Sequence, residues 1–135
     1  MRFSFTEDQR LLAEAVRDVL AKTCTPDAVR AGERPGKAWR ALAEVGLLRA
    51  HIHEEHGGLG LSPVDTVLAY EETGWFAVPG PLVETAVAAP ELLRDEPSKL
   101  EAIAAGELVV SARPAGASYF PDADLADLLL VAGPG

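Results

Sequence analysis

The chain has 135 residues, enough for one domain and at most a small second one. With 21 acidic against 12 basic residues, a formal charge of −9, it is disfavoured as a direct binder of nucleic acid or anionic membrane, where positive charge supplies most of the affinity. Apolar residues at 48% and charged residues at 24% are globular rather than disordered composition, and the single cysteine, Cys24, allows neither an internal disulfide nor a cysteine metal cage.

No apolar run approaches the roughly 20 residues that span a bilayer, and the start, Met1-Arg2-Phe3-Ser4-Phe5-Thr6-Glu7-Asp8, lacks the basic and apolar stretches of a signal peptide. A cytoplasmic protein is the expectation. Thr6 and Gln9 stand at capping-box spacing, with Glu7 and Asp8 in the first turn where the helix dipole favours negative charge. Leu12, Val16, Val19 and Leu20 recur at helical spacing until Thr25-Pro26 interrupts the pattern. Residues 27–36 are polar, with Gly32, Pro35 and Gly36, and read as a loop or a frayed helical turn.

A second helix is expected from Lys37 to Val45, with Trp39, Leu42 and Ala43 as its apolar side and Gly46 as a left-handed cap. Leu47 to Ile52 form a short apolar stretch, followed by a glycine-rich turn through Gly57, Gly58 and Gly60. Ser62-Pro63, with Asp65 as the matching acid, starts a third helix. Its expected apolar side is Val64, Val67 and Leu68, and Gly74 ends it. After Pro79-Gly80-Pro81 a fourth helical run covers Leu82 to Ala89, where Pro90 can begin a new turn but would break or kink a continuing helix. Pro97 to Ala105 makes a short fifth helix closed by Gly106. Leu108-Val109-Val110 and Leu128 to Val131 then read as buried strands. A helical region over 1–106 is therefore expected to give way near Gly106 to a β region over 107–135.

Chemistry-bearing clusters are incomplete. His51, His53 and His56 with Glu54 and Glu55 gather metal-ligand residue types, yet the histidines lack the i, i+4 spacing of a helical zinc site, and a polar loop entering a tight turn is the plainer reading. The glycines at 57, 58 and 60 lack the Lys-Ser/Thr of a phosphate loop, so positive φ explains them better. No motif surrounds Cys24, which reads as structural. Glu71 and Glu72 are adjacent on a helix and point apart, so they make no acid/base dyad. Tyr70, Trp75 and Phe76 join Trp39 as core or interface aromatics. The residues themselves yield no complete catalytic or metal site.

Taken in order, several stretches resemble the N-terminal helical domain of the acyl-CoA dehydrogenase family. They are Phe3 to Leu12, Trp39 to Leu48, Glu54 to Ser62, Ala69-Tyr70-Glu71-Glu72-Thr73-Gly74 and Ala105-Gly106-Glu107. The resemblance implies a mainly α fold leading into the first strands of a middle β-domain. It also implies FAD-dependent α,β-dehydrogenation of an acyl-CoA thioester, in which a carboxylate removes the α-proton, hydride passes from the β-carbon to the flavin, and an electron-transfer flavoprotein accepts the electrons. The stretch from Leu82 to Leu92 resembles the family's pocket helix, which makes Thr85, Ala88, Ala89 and Leu92 the expected lining of the acyl pocket. Departures accompany the likeness. His53 stands where the family has Pro, His56 where it has an aromatic, and the flavin-contacting T-E-P-x-x-G-S stretch appears only as Arg113-Pro114-Ala115-Gly116-Ala117-Ser118. The following strand arrives as though a hairpin were missing, and no residue matches the catalytic base. Such departures resemble the flavin-free half of heteromeric family members that handle polycyclic acyl-CoAs. The implied role is a pocket-forming part or subunit in a homo- or hetero-oligomer, the alternative being a non-catalytic helical chain that pairs with a flavin-bearing one.

Overall fold

The computed structural model describes residues 4–32 and 36–133. Phe3 at the head of the family-like opening, Pro35 in the polar connection and Gly135 at the end of the sequence lie outside them.

Helix α1 spans Glu7–Thr23 and begins as its sequence dictates: Gln9 N donates to the Thr6 hydroxyl at 3.2 Å while the Gln9 side chain accepts from Thr6 N at 2.8 Å. Ala13, Val16 and Leu20 are its buried stripe, with Leu12 and Val19 packed at the margin. Thr25-Pro26 does more than interrupt the pattern. The Thr25 hydroxyl accepts from Ala28 N, and Pro26 takes the first-turn position of a short second helix, α2 (Pro26–Arg30), the helical-turn alternative for the start of that polar stretch. Helix α3 is Lys37–Val45, with Trp39 and Leu42 buried and Gly46 left-handed at φ 92°. Short 3-10 turns follow at Leu47–Arg49 and Glu54–His56.

Helix α4, Pro63–Trp75, carries the expected capping box between Ser62 and Asp65 but buries a different face. Val64 and Val67 are exposed at 63% and 46%, whereas Thr66, Ala69 and Thr73 are buried. Ala69 packs into the core shared with α1, and the threonine hydroxyls donate to Pro63 O and Tyr70 O within their own helix. Trp39 is core, while Trp75, at the end of α4, is 84% exposed.

Pro90 does not break its helix. A π-helical segment, Glu84–Ala88, runs into α5 (Ala89–Leu92), with Ala89 N bonding to Glu84 O. A proline at position 90 has no N–H for the carbonyl four residues back, and its ring would collide there; the wider π turn removes that conflict. Helix α6, Pro97–Ala104, ends at Gly106, which is left-handed at φ 77°.

Strands β1 (Val110–Pro114) and β2 (Leu128–Ala132) pair in parallel from Val110↔Leu128 to Pro114↔Ala132. Of the expected first strand only Val110 is included; β1 runs on to Pro114, and Val109 O accepts from the Asp127 and Leu128 amides where the strands approach. Nor is β2 buried on both faces: Leu129 and Val131 are 47% and 55% exposed, while Leu128 and Leu130 pack inward. The fold is mainly α, with two cores. One joins α1, α3 and α4 around Trp39 and Leu42. The other joins Ile52, Ala89, Leu93, Leu100 and Ile103 to Val110, so that the strands and the later helices share it.

Candidate functional site

The segment from Glu84 to Leu92 is wedged between the strands and the loop after α3. Of the four residues expected to line a pocket, Thr85 and Ala89 are fully buried at 0% exposure, Ala88 is half-buried and Leu92 is 42% exposed. Four residues apart, Thr85 and Ala89 form the inward side of this helix; Ala88 and Leu92, likewise four apart, form the outward side. The Thr85 hydroxyl is committed, donating to Val110 O at 2.8 Å and accepting from Val110 N at 2.9 Å.

Beside this helix lies a cleft of about 390 Å³ that the sequence did not indicate. The helix supplies Val87, Pro90 and Glu91 to it, the next turn Arg94 and Asp95, and the facing loop His51, His53 and His56. These side chains meet only because residues 49–61 fold back on themselves. Leu59 N donates to Arg49 O, Gly60 N to Ile52 O and Leu61 N to Ala50 O. Gly57 and Gly60 take positive φ, at 81° and 61°, as a tight connection requires. Gly58 is needed for closeness instead, since a Cβ there would sit 1.8 Å from Ile52 O. With Gly58 N donating to His53 O, these amides are spent on the loop itself rather than offered to a phosphate.

His51 is a structural member of that loop. Its Nδ1 lies 2.9 Å from Leu61 O, its Nε2 3.0 Å from the Thr66 hydroxyl, and its ring stacks on Tyr70 at 6.2 Å. His53 is exposed, and His56 Nε2 is 3.5 Å from Glu55. Among the described residues no three histidine, cysteine or acidic side chains are arranged to hold a metal ion. Cys24 is buried with its thiol donating to Phe76 O at 3.4 Å, and burial pushes that thiol up. Glu72 accepts from Arg17 at 2.5 Å, which holds its carboxyl below the usual range, while Glu71 faces solvent.

The turn after β1 is the stretch that resembles the family's flavin-contacting pattern, and its residues depart from that pattern. With Pro114 in register, Arg113 falls where the family pattern carries its acid. Its guanidinium folds back on the turn, donating to Ala117 O at 2.6 Å and lying 4.8 Å from the centre of the Phe120 ring. Ala117 N donates to Pro114 O, closing the turn, and Ala115 N donates to Ala132 O, tying it to the end of β2. Ser111 adds a hydroxyl bond to Pro121 O, and Asp127 accepts from Val109 N, pinning both ends of a short crossover.

Comparison with known proteins agrees with this geometry. Residues 6–95 match the acyl-CoA dehydrogenase N-terminal domain. The acyl-CoA dehydrogenase IpdE2 of Mycolicibacterium smegmatis is 36% identical over 94% of this chain, which spans only 43% of that relative. A chain of the ChsE4-ChsE5 complex from Mycobacterium tuberculosis superposes with a TM-score of 0.62 at 28% identity, over 87% of this chain and 34% of that one. A chain in the structure of the electron transferring flavoprotein of Acidaminococcus fermentans gives 0.64 at 25% identity, over 83% and 32%. Among the described residues no helix is long and apolar enough to cross a membrane. With residues 6–95 matching the family's N-terminal domain and a 36% identical relative aligned over 94% of the sequence, the chain belongs to the acyl-CoA dehydrogenase family and carries that family's N-terminal helical domain.

Proposed function

We propose that this chain forms the wall of an acyl pocket in an FAD-dependent acyl-CoA dehydrogenase assembly that desaturates the α,β bond of an acyl-CoA thioester. The observation that carries the proposal is the split character of the helix from Glu84 to Leu92. Its inner side is locked to β1 and the second core, which leaves the small Ala88 and the apolar Leu92 outward on a rigid element. A small residue at 88 leaves room for a bulky, polycyclic acyl group. Thr85 and Ala89 belong to the same pocket element from its inner side. We place the boundary between helical and β units at Gly106, and the assembly in the cytoplasm with an electron-transfer flavoprotein as electron acceptor.

The Arg113-closed turn favours a heteromeric form of this reading, in which a related chain holds the FAD. The ChsE4-ChsE5 likeness supports such pairing. If the chain pairs without touching substrate, it is a non-catalytic helical subunit. Substitution of Ala88 separates the two. In the complete assembly Ala88→Trp should shift acyl preference toward shorter, slimmer chains, and an unchanged preference sinks the pocket-wall reading while leaving the pairing role.

A further inference from the structure

Val110 opens β1, and the Thr85 hydroxyl takes both of its backbone groups, accepting from the N–H at 2.9 Å and donating to the C=O at 2.8 Å. On its other side the strand approach is served differently, with Leu128 N and Asp127 N both donating to Val109 O. Thr85 therefore stands where a neighbouring strand would stand, and one hydroxyl closes the outer edge of β1 at its first residue. Thr85 and Val110 are both fully buried, so neither backbone group has water as an alternative partner.

Thr85 also lies inside the π segment Glu84–Ala88, the stretch whose wider turn carries the chain past Pro90. Inserted π turns recur at functional sites. Here the register is fixed from outside, by a strand 25 residues further along the chain. Three residues beyond Thr85 comes Ala88, and three beyond Val110 comes Arg113 at the closed turn. A single hydroxyl thus sets the height of the outward helix face relative to the strand that leads to that turn.

We propose that Thr85 is a positioning residue that fixes the depth of the acyl pocket by clamping the Ala88- and Leu92-bearing helix to the edge of β1. This rests on the pocket-wall reading above. Side-chain contact between Thr85 and substrate is not required, since the residue acts through Ala88 and Leu92.

The test uses the full-length protein assembled with its flavin-bearing partner. Thr85→Val keeps shape and removes the hydroxyl; Thr85→Ser keeps the hydroxyl. Two quantities are read: hydrogen–deuterium exchange at the Val110 amide, and the ratio of kcat/KM for a polycyclic against a straight-chain acyl-CoA. Thr85→Val should speed exchange at Val110 and change the ratio by about tenfold, chiefly through KM, the size of effect a displaced apolar wall produces. Thr85→Ser should return both to near the wild-type values. If the valine variant is not recovered folded, Thr85→Cys, with a weaker donor of similar size, is read for the same two changes. Faster exchange with an unchanged ratio makes the clamp merely structural and overturns the proposal, as does a serine variant that behaves like valine. A wild-type assembly whose flavin is never bleached by any acyl-CoA overturns the pocket-wall reading and this proposal together.

Discussion

Arg17 on α1 reaches Glu72 on α4 at 2.5 Å across 55 residues of sequence, the same separation that divides Gln9 from Val64, whose side-chain to backbone bond lies at 3.1 Å. Two contacts with one offset mean that α1 and α4 run parallel and in fixed register.

Loss of this pair should loosen the register without unfolding the chain. Arg17 is solvent-exposed, so its attraction for Glu72 is strongly screened. Arg17→Ala is expected to lower Tm slightly in dilute buffer. At about 1 M salt, where the screening length falls to about 3 Å, the difference from wild type should shrink toward zero. A salt-independent difference would show that the arginine stem, not its charge, is what matters.

The fold-back loop makes a sharper demand. Gly58→Ala would drive a Cβ into the Ile52 carbonyl, a collision with backbone that no rotamer change relieves. A loss of about 2–4 kcal/mol is expected by denaturant titration. Gly57→Ala, at positive φ but in open space, should cost less. A reversed order would mean that the loop does not fold back on residues 49–53 as described.

The Tyr70 hydroxyl is buried without a hydrogen-bond partner among the described residues, and burial pushes its phenol pKa up. Tyr70→Phe removes a desolvated polar atom while keeping the ring stacked on His51. Stability should stay level or rise by up to about 1–2 kcal/mol, the cost of one unpaired buried group. A clear loss would reveal a partner for that hydroxyl.

Asp65 supplies the pH dependence. Hydrogen bonds from the Ser62 hydroxyl and amide hold its carboxyl below the ordinary 3.8. A carboxyl depressed by folding contributes stability that is present above its unfolded value and lost as pH falls through its lower folded value. Asp65→Asn should therefore lower Tm at neutral pH. Wild type and variant should converge as acid protonates the carboxylate, and a constant gap down to about pH 2 would contradict the capping role.

Local chemistry was the legible part of this fold. Thr6 with Gln9, Ser62 with Asp65, and Gly46 mark helix ends through bonds made within a few residues, so the sequence displays them directly. The buried face of α4 was hidden because its cover comes from elsewhere in the chain, His51 beside Thr66 and the α1 and α3 core beside Ala69, while hydrophobicity alone pointed to Val64 and Val67. Pro90 in the first turn of α5 follows from the sequence, but the continuous passage from the preceding helix depends on a π turn that no residue type announces. Family likeness marked Thr85 as pocket lining, but its hydroxyl partner lies 25 residues downstream, beyond any periodicity. Arg113 was visible as a departure from the family pattern; its closure over Ala117 and Phe120 was not.

The most direct measurement is flavin content against chain composition. The full-length protein is purified alone and then with a flavin-bearing acyl-CoA dehydrogenase chain, and each sample is followed by visible absorbance and native mass spectrometry. The account predicts a colourless protein when alone. With the partner it predicts a yellow complex containing both chains, with flavin assigned to the partner and bleached on addition of acyl-CoA. Stoichiometric FAD on this chain by itself, or a yellow partner that never associates with it, would contradict the account.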